Sequence, residues 1–150
     1  MIIHPGLINL NCPTTDKLST IRFLVNLGVE DHRVLNADEL VDSVLAREAE
    51  YSTGVGFGIA IPHGKSEAVT EPMLAFAKVN NIDWESMDGE PVDLVFLIGV
   101  PAADTGSLHL RILANLSRKL MKDEFRQALR DATTTQAVMD LFSQFEILPE

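Results

Sequence analysis

The chain has 150 residues, 46% hydrophobic and 23% charged, which is typical of one folded globular domain and excludes a disordered segment. Twenty-two Asp and Glu residues against 12 Lys and Arg give a formal net charge of −10, which disfavours binding to nucleic acid or to anionic lipid. Cys12 is the single cysteine, which excludes an internal disulfide, and no apolar run or N-terminal signal pattern suits a membrane, so we expect a cytoplasmic protein without membrane insertion.

Two helices are predicted in the first third of the chain. The first is capped by Thr15 or Asp16, carries apolar residues at helical spacing and stops at Gly28. The second opens with a capping-box pattern at Asn36 and runs to about Tyr51. Its buried stripe is expected at Leu40, Val41, Val44, Leu45 and Ala49.

Strands are predicted in the middle of the chain, over residues 57–61, 73–79 and 92–100. The last of these is an almost unbroken apolar run, which is typical of a central strand covered on both faces. Trp84 stands in a short segment between two turns, and we expect it in the core or partly buried.

The final third is predicted to be helical, over residues 107–122 and 123–131, followed by a helix that Thr133 caps. Helices on both sides of a mostly buried sheet of four or five strands make an α/β sandwich. No repeat or linker is visible, so we expect a single domain over residues 1–150. The order of the strands cannot be read from the sequence.

The most informative segment covers residues 54–65, where three alternate glycines lead into a short apolar run that ends at Pro62. His63 follows, between this proline of fixed φ and Gly64, so we expect its ring at a strand end and reachable from outside. A neutral imidazole is a nucleophile near pH 7 and can carry a covalent intermediate. The alternative is an ordinary surface histidine at a strand-to-turn junction.

Three further features could support such a nucleophile. His109 lies in the first turn of its predicted helix, where the helix N-terminus attracts anions, or it fills a packing gap. Arg47, near the end of the second helix, could clamp phosphate oxygens. Alternatively, it simply suits the dipole at the helix C-terminus or pairs with Glu48 or Glu50 at the surface. The turn Ser52-Thr53-Gly54 offers hydroxyl and N–H donors, or it simply ends the helix.

Other chemistries lack support in the sequence. The alternating glycines enter a strand rather than a helix, which is not a dinucleotide fingerprint, and no Gly-Lys-Ser/Thr ends a phosphate loop. The histidines do not have metal-ligand spacing, so we expect neither a cofactor nor a metal. His4 and His32 are expected to be surface residues.

Several motifs together resemble the IIA domain of the fructose–mannitol class of the bacterial sugar phosphotransferase system, which includes the nitrogen-regulatory IIA proteins. The resemblance spans roughly residues 3 to 145. Its motifs are Arg47-Glu48, Ser52-Thr53-Gly54, residues 58–65 around Pro62-His63-Gly64, residues 95–102 and Leu108-His109-Leu110.

The resemblance implies a mixed β-sheet flanked by helices and a phosphocarrier function. His63 matches the residue that accepts a phosphoryl group from the phosphorylated carrier protein HPr and passes it to a IIB domain, for sugar uptake through a IIC domain. His109 and Arg47 match the supporting residues of the family's active site. The alternative is a regulatory protein of the nitrogen type, whose phosphorylation state controls its binding to target proteins. The sequence leaves open the sugar, the phosphorylated nitrogen of His63, whether the protein is a monomer or a homodimer, and whether the chain is a module of a longer transporter.

Overall fold

The protein is described here by a computed structural model, which covers residues 2–104 and 108–144, except for the side chains of residues 108, 109 and 144. The α-helices of this part are α1 (Lys17–Glu30), α2 (Ala37–Glu50), α3 (Leu108–Leu120), α4 (Asp123–Asp131) and α5 (Thr135–Gln144). The strands are β1 (Ile8–Asn9), β2 (Gly54–Gly56), β3 (Ile59–Ala60), β4 (His63–Ser66), β5 (Met73–Ile82) and β6 (Val92–Pro101). Over the same residues, no helix is both long and apolar enough to cross a bilayer.

The sheet is mixed and has the order β1-β5-β6-β3-β2, with β4 also pairing with β6. Strands β5 and β6 are antiparallel, whereas β3 and β4 both run parallel to β6. The predicted α/β class, a mixed sheet flanked by helices, is confirmed. In the described residues the sheet has six strands, one or two more than the expected four or five. The short strands β1 and β4 were not predicted because their sequences lack the alternation of apolar and polar residues that indicates a strand.

The core has two layers, one on each face of the sheet. Alternate residues of β5 point to opposite faces, as a pleated strand requires. Phe76 lies in the layer under α3, α4 and α5, where its ring stacks on Phe96 at 4.7 Å between centroids. Ala75 and Leu97 lie in the other layer, against α1 and α2. The long strands β5 and β6 are therefore covered on both faces, as the apolar run at residues 92–100 predicted.

The two N-terminal helices begin at the predicted caps. The Asp16 side chain accepts a hydrogen bond from the Ser19 N–H at 2.8 Å, and hydrogen bonding from Ser19 lowers the pKa of this carboxyl below its usual value. The Asn36 side chain accepts from the Glu39 N–H at 3.2 Å. These bonds satisfy N–H groups that have no partner within the helix.

Three details of the predicted helices are wrong. Helix α1 continues through Gly28 to Glu30, and a Cβ at position 28 would lie 2.6 Å from the Met73 sulfur, so this glycine allows close packing rather than ending the helix. The cap of α5 is Thr134, whose hydroxyl accepts from the Ala137 N–H at 3.1 Å, instead of Thr133. In α2, Ala49 is exposed and Glu48 is buried in its place.

Candidate functional site

His63 is the first residue of β4 and lies opposite Ile98 of β6. The parallel pairing is extended by a hydrogen bond of 3.0 Å from the Ile98 N–H to the Pro62 carbonyl. The preceding strand starts at Ile59 instead of the predicted residue 57, because Phe57 has a positive φ of 60° and belongs to a turn. The expected position of His63 at a strand end is confirmed, and its side chain is half-buried.

One hydrogen bond of the His63 ring indicates which of its nitrogens carries the hydrogen. Nδ1 lies 3.0 Å from the carbonyl oxygen of Ile61. A carbonyl oxygen only accepts, so Nδ1 carries the hydrogen and donates it. In the neutral ring, the lone pair then belongs to Nε2.

Gly64 allows helix α2 to lie directly against β4. A Cβ at this position would be 2.9 Å from both the Ser43 hydroxyl oxygen and a methyl carbon of Val44. The Ser43 hydroxyl also donates to the Lys65 carbonyl at 2.8 Å, which fixes the helix to the strand. Arg47 lies one helical turn after Ser43 on the same face of α2, so this close packing brings it toward His63.

Arg47 is half-buried and does not pair with Glu48 at the surface. Its Nη1 donates a hydrogen bond of 2.9 Å to the Tyr51 carbonyl, just beyond the end of α2. Its guanidinium carbon lies 4.1 Å from the centroid of the Tyr51 ring. The guanidinium is therefore held by two contacts with one residue.

The turn at residues 52–54 lies beside His63, with its hydroxyl groups already engaged. The Ser52 hydroxyl donates to the Trp84 carbonyl at 2.6 Å and accepts from the Gly54 N–H at 3.0 Å. The Thr53 hydroxyl is buried and donates to a carboxylate oxygen of Glu48. The roles of Ser52, Thr53 and Gly54 as donors to a phosphoryl group stay predictions, and a phosphoryl group would have to compete with these bonds.

A buried polar network supports this turn from below. Glu48 has a side chain only 5% exposed, and its carboxylate lies 3.1 Å from the Lys17 ammonium. It also accepts hydrogen bonds from the Thr53 N–H at 3.3 Å and from the Trp84 indole N–H at 3.3 Å. Trp84 itself is fully buried, as expected. Glu48 was missed as a structural residue, although it follows Val44 at the spacing of the buried stripe.

These residues meet at one cavity of about 280 Å³. Five of the six predicted site residues line it, and the sequence did not identify its other residues. The lining consists of Arg47, Tyr51, Ser52, Thr53, Gly54, Val55, Ile61, His63, Met87, Leu113 and Ser117. A cavity with one imidazole and one guanidinium among mostly apolar groups can hold a small anion over a nucleophilic nitrogen.

His109, the sixth predicted site residue, lies in the first turn of α3. It precedes Leu113, which lines the cavity, by one helical turn. The side chain of His109 lies outside the described part of the structure, so its role stays a prediction. The other histidines lie outside this cavity: His4 has a side chain 58% exposed at 3.1 Å from Asp31, and His32 is exposed.

Three exposed apolar side chains surround the mouth of the cavity. Met87 is 92% exposed, Tyr51 67% and Val55 54%. Exposed apolar groups that gather around the mouth of a cavity are typical of a surface that a protein partner covers.

Residues 1–145 match a known protein family, described as "Phosphoenolpyruvate-dependent sugar phosphotransferase system, EIIA 2". The chain is 45% identical over 139 residues to a fructose-specific EIIA component of Haloferax volcanii, covering 92% of this chain and 90% of the relative. It is 34% identical over 140 residues to a fructose-specific EIIABC component of Bacillus subtilis, but spans only 22% of that longer protein.

Among solved structures, the chain is similar to the nitrogen regulatory protein IIA-Ntr of Neisseria meningitidis. The two share 29% sequence identity and superpose with a TM-score of 0.85, over 93% of this chain and 95% of the other. Both the sequence and the fold thus point to the same group of proteins.

Proposed function

The chain belongs to the EIIA 2 family of the phosphoenolpyruvate-dependent sugar phosphotransferase system, and from this premise we propose that it is a phosphocarrier. In this proposal, His63 accepts a phosphoryl group from phosphorylated HPr and passes it to a IIB domain. The observation that carries the proposal is the His63 ring, which donates from Nδ1 to Ile61 and lines a cavity together with Arg47. In this proposal, the nitrogen that attacks the phosphoryl group is Nε2.

The proposed transfer needs no proton to leave the ring. The Nε2 lone pair forms a bond to phosphorus, and the bond between phosphorus and the donor's nitrogen breaks, returning its electron pair to the donor. Nδ1 keeps its hydrogen, and the Ile61 carbonyl stabilises the positive charge that the ring gains. Transfer to IIB is the same exchange in reverse, with the Nε2 lone pair restored.

Arg47 stabilises the charge on the phosphoryl oxygens in this proposal. Phosphoryl transfer asks a protein mainly to position the groups and to stabilise charge on the three equatorial oxygens. A guanidinium suits this because its donors lie in one plane and can engage two oxygens at once. His109 is the proposed second donor, from its place in the first turn of α3. The exposed apolar side chains of Val55 and Met87 are proposed to contact HPr and IIB in turn.

We assign the protein to the fructose class of sugar uptake, because its relatives in Haloferax volcanii and Bacillus subtilis are both fructose-specific components. A cytoplasmic location is part of this proposal, since the single cysteine suits a reducing compartment. Size-exclusion chromatography with light scattering would distinguish a monomer from a homodimer.

Phosphorylation in a reconstituted system tests the proposal. The protein is incubated with phosphoenolpyruvate, enzyme I and HPr, and its mass should rise by one phosphoryl group, about 80 Da, in an acid-labile form. The variant His63→Ala should not be labelled, whereas His4→Ala, which removes an exposed imidazole elsewhere, should be labelled normally. Equal labelling of wild type and His63→Ala would refute the assignment. Phosphorus–nitrogen couplings measured by NMR should place the group on Nε2, and coupling to Nδ1 would contradict the proposed tautomer.

A regulatory function is the second candidate, and the similarity to the nitrogen regulatory protein of Neisseria meningitidis favours it. The two candidates differ in what happens after labelling. In the transport function, adding a purified IIB domain of the fructose class should remove the phosphoryl group from His63 within the time of a transfer assay. Retention of the group on His63 in the presence of that IIB domain would favour regulation.

A further inference from the structure

The side chain of Arg47 is held in place by one exposed aromatic ring. Tyr51 follows the end of α2 with an extended backbone, φ −169° and ψ 156°, which places both its carbonyl and its ring within reach of Arg47. Tyr51 is 67% exposed, so it adds little to the core of the protein. The ring stacks on the Arg47 guanidinium, whose carbon lies 4.1 Å from the ring centroid.

This arrangement leaves the guanidinium able to bind an anion. The N–H donors of arginine lie in the plane of the group, and stacking covers the face and not the edges. One nitrogen, Nη1, donates to the Tyr51 carbonyl at 2.9 Å. Within residues 2–104 and 108–144, no hydrogen bond from Nε or Nη2 to a partner is found, so two nitrogens stay available for the oxygens of a phosphoryl group in the shared cavity.

An unsupported arginine at a protein surface samples many rotamers, and this freedom is lost when it binds an oxyanion. A stack that holds the guanidinium beforehand reduces that loss at the moment of transfer. The stack also strengthens when a docked partner excludes water from it.

We infer that Tyr51 is a positioning residue for phosphoryl transfer, which acts by holding the Arg47 guanidinium at the edge of the cavity that contains His63. The inference rests on the proposed function. It concerns the aromatic ring of Tyr51, because the hydrogen bond from Arg47 to the backbone carbonyl of Tyr51 would survive any substitution of the side chain.

The variants Tyr51→Phe and Tyr51→Leu test the inference through the initial rate of transfer from phosphorylated HPr. Tyr51→Phe keeps the ring and should keep most of the rate. Tyr51→Leu keeps apolar bulk without the π-system and should lower the rate of transfer by about twofold to thirtyfold, the range from an exposed to a desolvated stack. A rate of Tyr51→Leu equal to that of Tyr51→Phe would overturn the inference.

A double-mutant cycle separates positioning from direct contact with the partner. In an Arg47→Ala background, Tyr51→Leu should cause no further loss of rate, since there is no guanidinium left to hold. An undiminished loss in that background would mean that Tyr51 acts on the partner, and the inference would be wrong.

NMR of the free protein gives a second measurement that does not depend on transfer. The ring current of Tyr51 should shift the Arg47 side-chain protons upfield in wild type and in Tyr51→Phe, and the shift should disappear in Tyr51→Leu. Identical Arg47 resonances in all three proteins would also overturn the inference. The rates are compared only after the wild-type protein has been labelled at His63, which establishes the proposed function first. A negative result for the variants then refutes the role of Tyr51 and leaves the proposed function intact.

Discussion

Replacing Glu48 should destabilise the protein strongly, because its carboxylate is the centre of the network beneath the 52–54 turn. It pairs with the Lys17 ammonium at 3.1 Å and accepts hydrogen bonds from Thr53 and Trp84. In Glu48→Ala, the Lys17 ammonium loses its buried partner and keeps two weaker contacts, with the exposed Glu85 at 3.4 Å and with the Trp84 ring at 5.6 Å from its centroid. The donors of Thr53 and Trp84 lose an acceptor at the same time.

The expected cost is about 3–4 kcal/mol. Removing one partner of a buried ion pair costs roughly 3–5 kcal/mol, mostly because a charge is left without compensation. The Lys17 side chain is 19% exposed, so water relieves part of that penalty and the lower half of the range applies. At about 2–4 °C per kcal/mol for a chain of this size, the midpoint of thermal unfolding should fall on the order of 10 °C.

Urea unfolding followed by circular dichroism measures this cost. The matched control is Glu50→Gln, at an exposed position on the same helix, which should change the free energy of unfolding by no more than about 0.5 kcal/mol. Glu48→Gln should cost less in a Lys17→Met background than alone, since the unpaired ammonium is then absent. A cost of Glu48→Ala below about 1 kcal/mol, or strict additivity in that cycle, would refute the reasoning.

Substitutions of Arg47, His109 and Gly54 test the site itself. Arg47→Lys keeps a positive charge without the planar pair of donors, so the transfer rate to His63 should lie between those of wild type and Arg47→Ala, while the unfolding midpoint stays unchanged in both. His109→Gln should slow transfer less than His109→Ala, because the amide still donates a hydrogen bond. If both variants transfer at the wild-type rate, His109 has no part in the chemistry. Gly54→Ala should lower both stability and rate, since its Cβ would lie 2.1 Å from the Ser86 hydroxyl oxygen, and the second change Ser86→Gly should restore part of each. Failure of that rescue would mean that contact with the Ser86 side chain does not cause the loss.

The fold could be predicted where local signals coincide. Helix α2 has a cap at Asn36 and a regular apolar stripe, and β6 is a long apolar run, so both appear close to their predicted bounds. The role of Gly28 could not be predicted, because it depends on Met73 of β5, which contacts the helix only in the folded chain. Strand β4 has the sequence His-Gly-Lys-Ser, which resembles a loop, and it becomes a strand because β6 supplies its hydrogen-bonding partners.

The candidate site was predictable where residue type and spacing carry the chemistry. His63 and Arg47 line one cavity, as their motifs suggested. The contribution of Met87 could not be foreseen, because it comes from a loop between two strands and meets His63 only through the order of the sheet. Glu48 was predictable in principle, since an acid that falls on the stripe of Val41 and Val44 must be buried with partners.

The same contacts explain why this cavity suits a carrier under the proposed function. A phosphoryl group that must be passed on cannot be bound by many strong donors, since each donor that stabilises the phosphorylated state also slows its transfer to the acceptor. Here the Ser52 and Thr53 hydroxyls are already bonded to Trp84 and Glu48. The charge of Arg47 then dominates the attraction for the phosphoryl oxygens, and much of the remaining lining is apolar. Under the proposed function, we therefore expect weak retention, because the polar groups are occupied in building the turn, and rapid transfer, because one guanidinium is held in position beforehand.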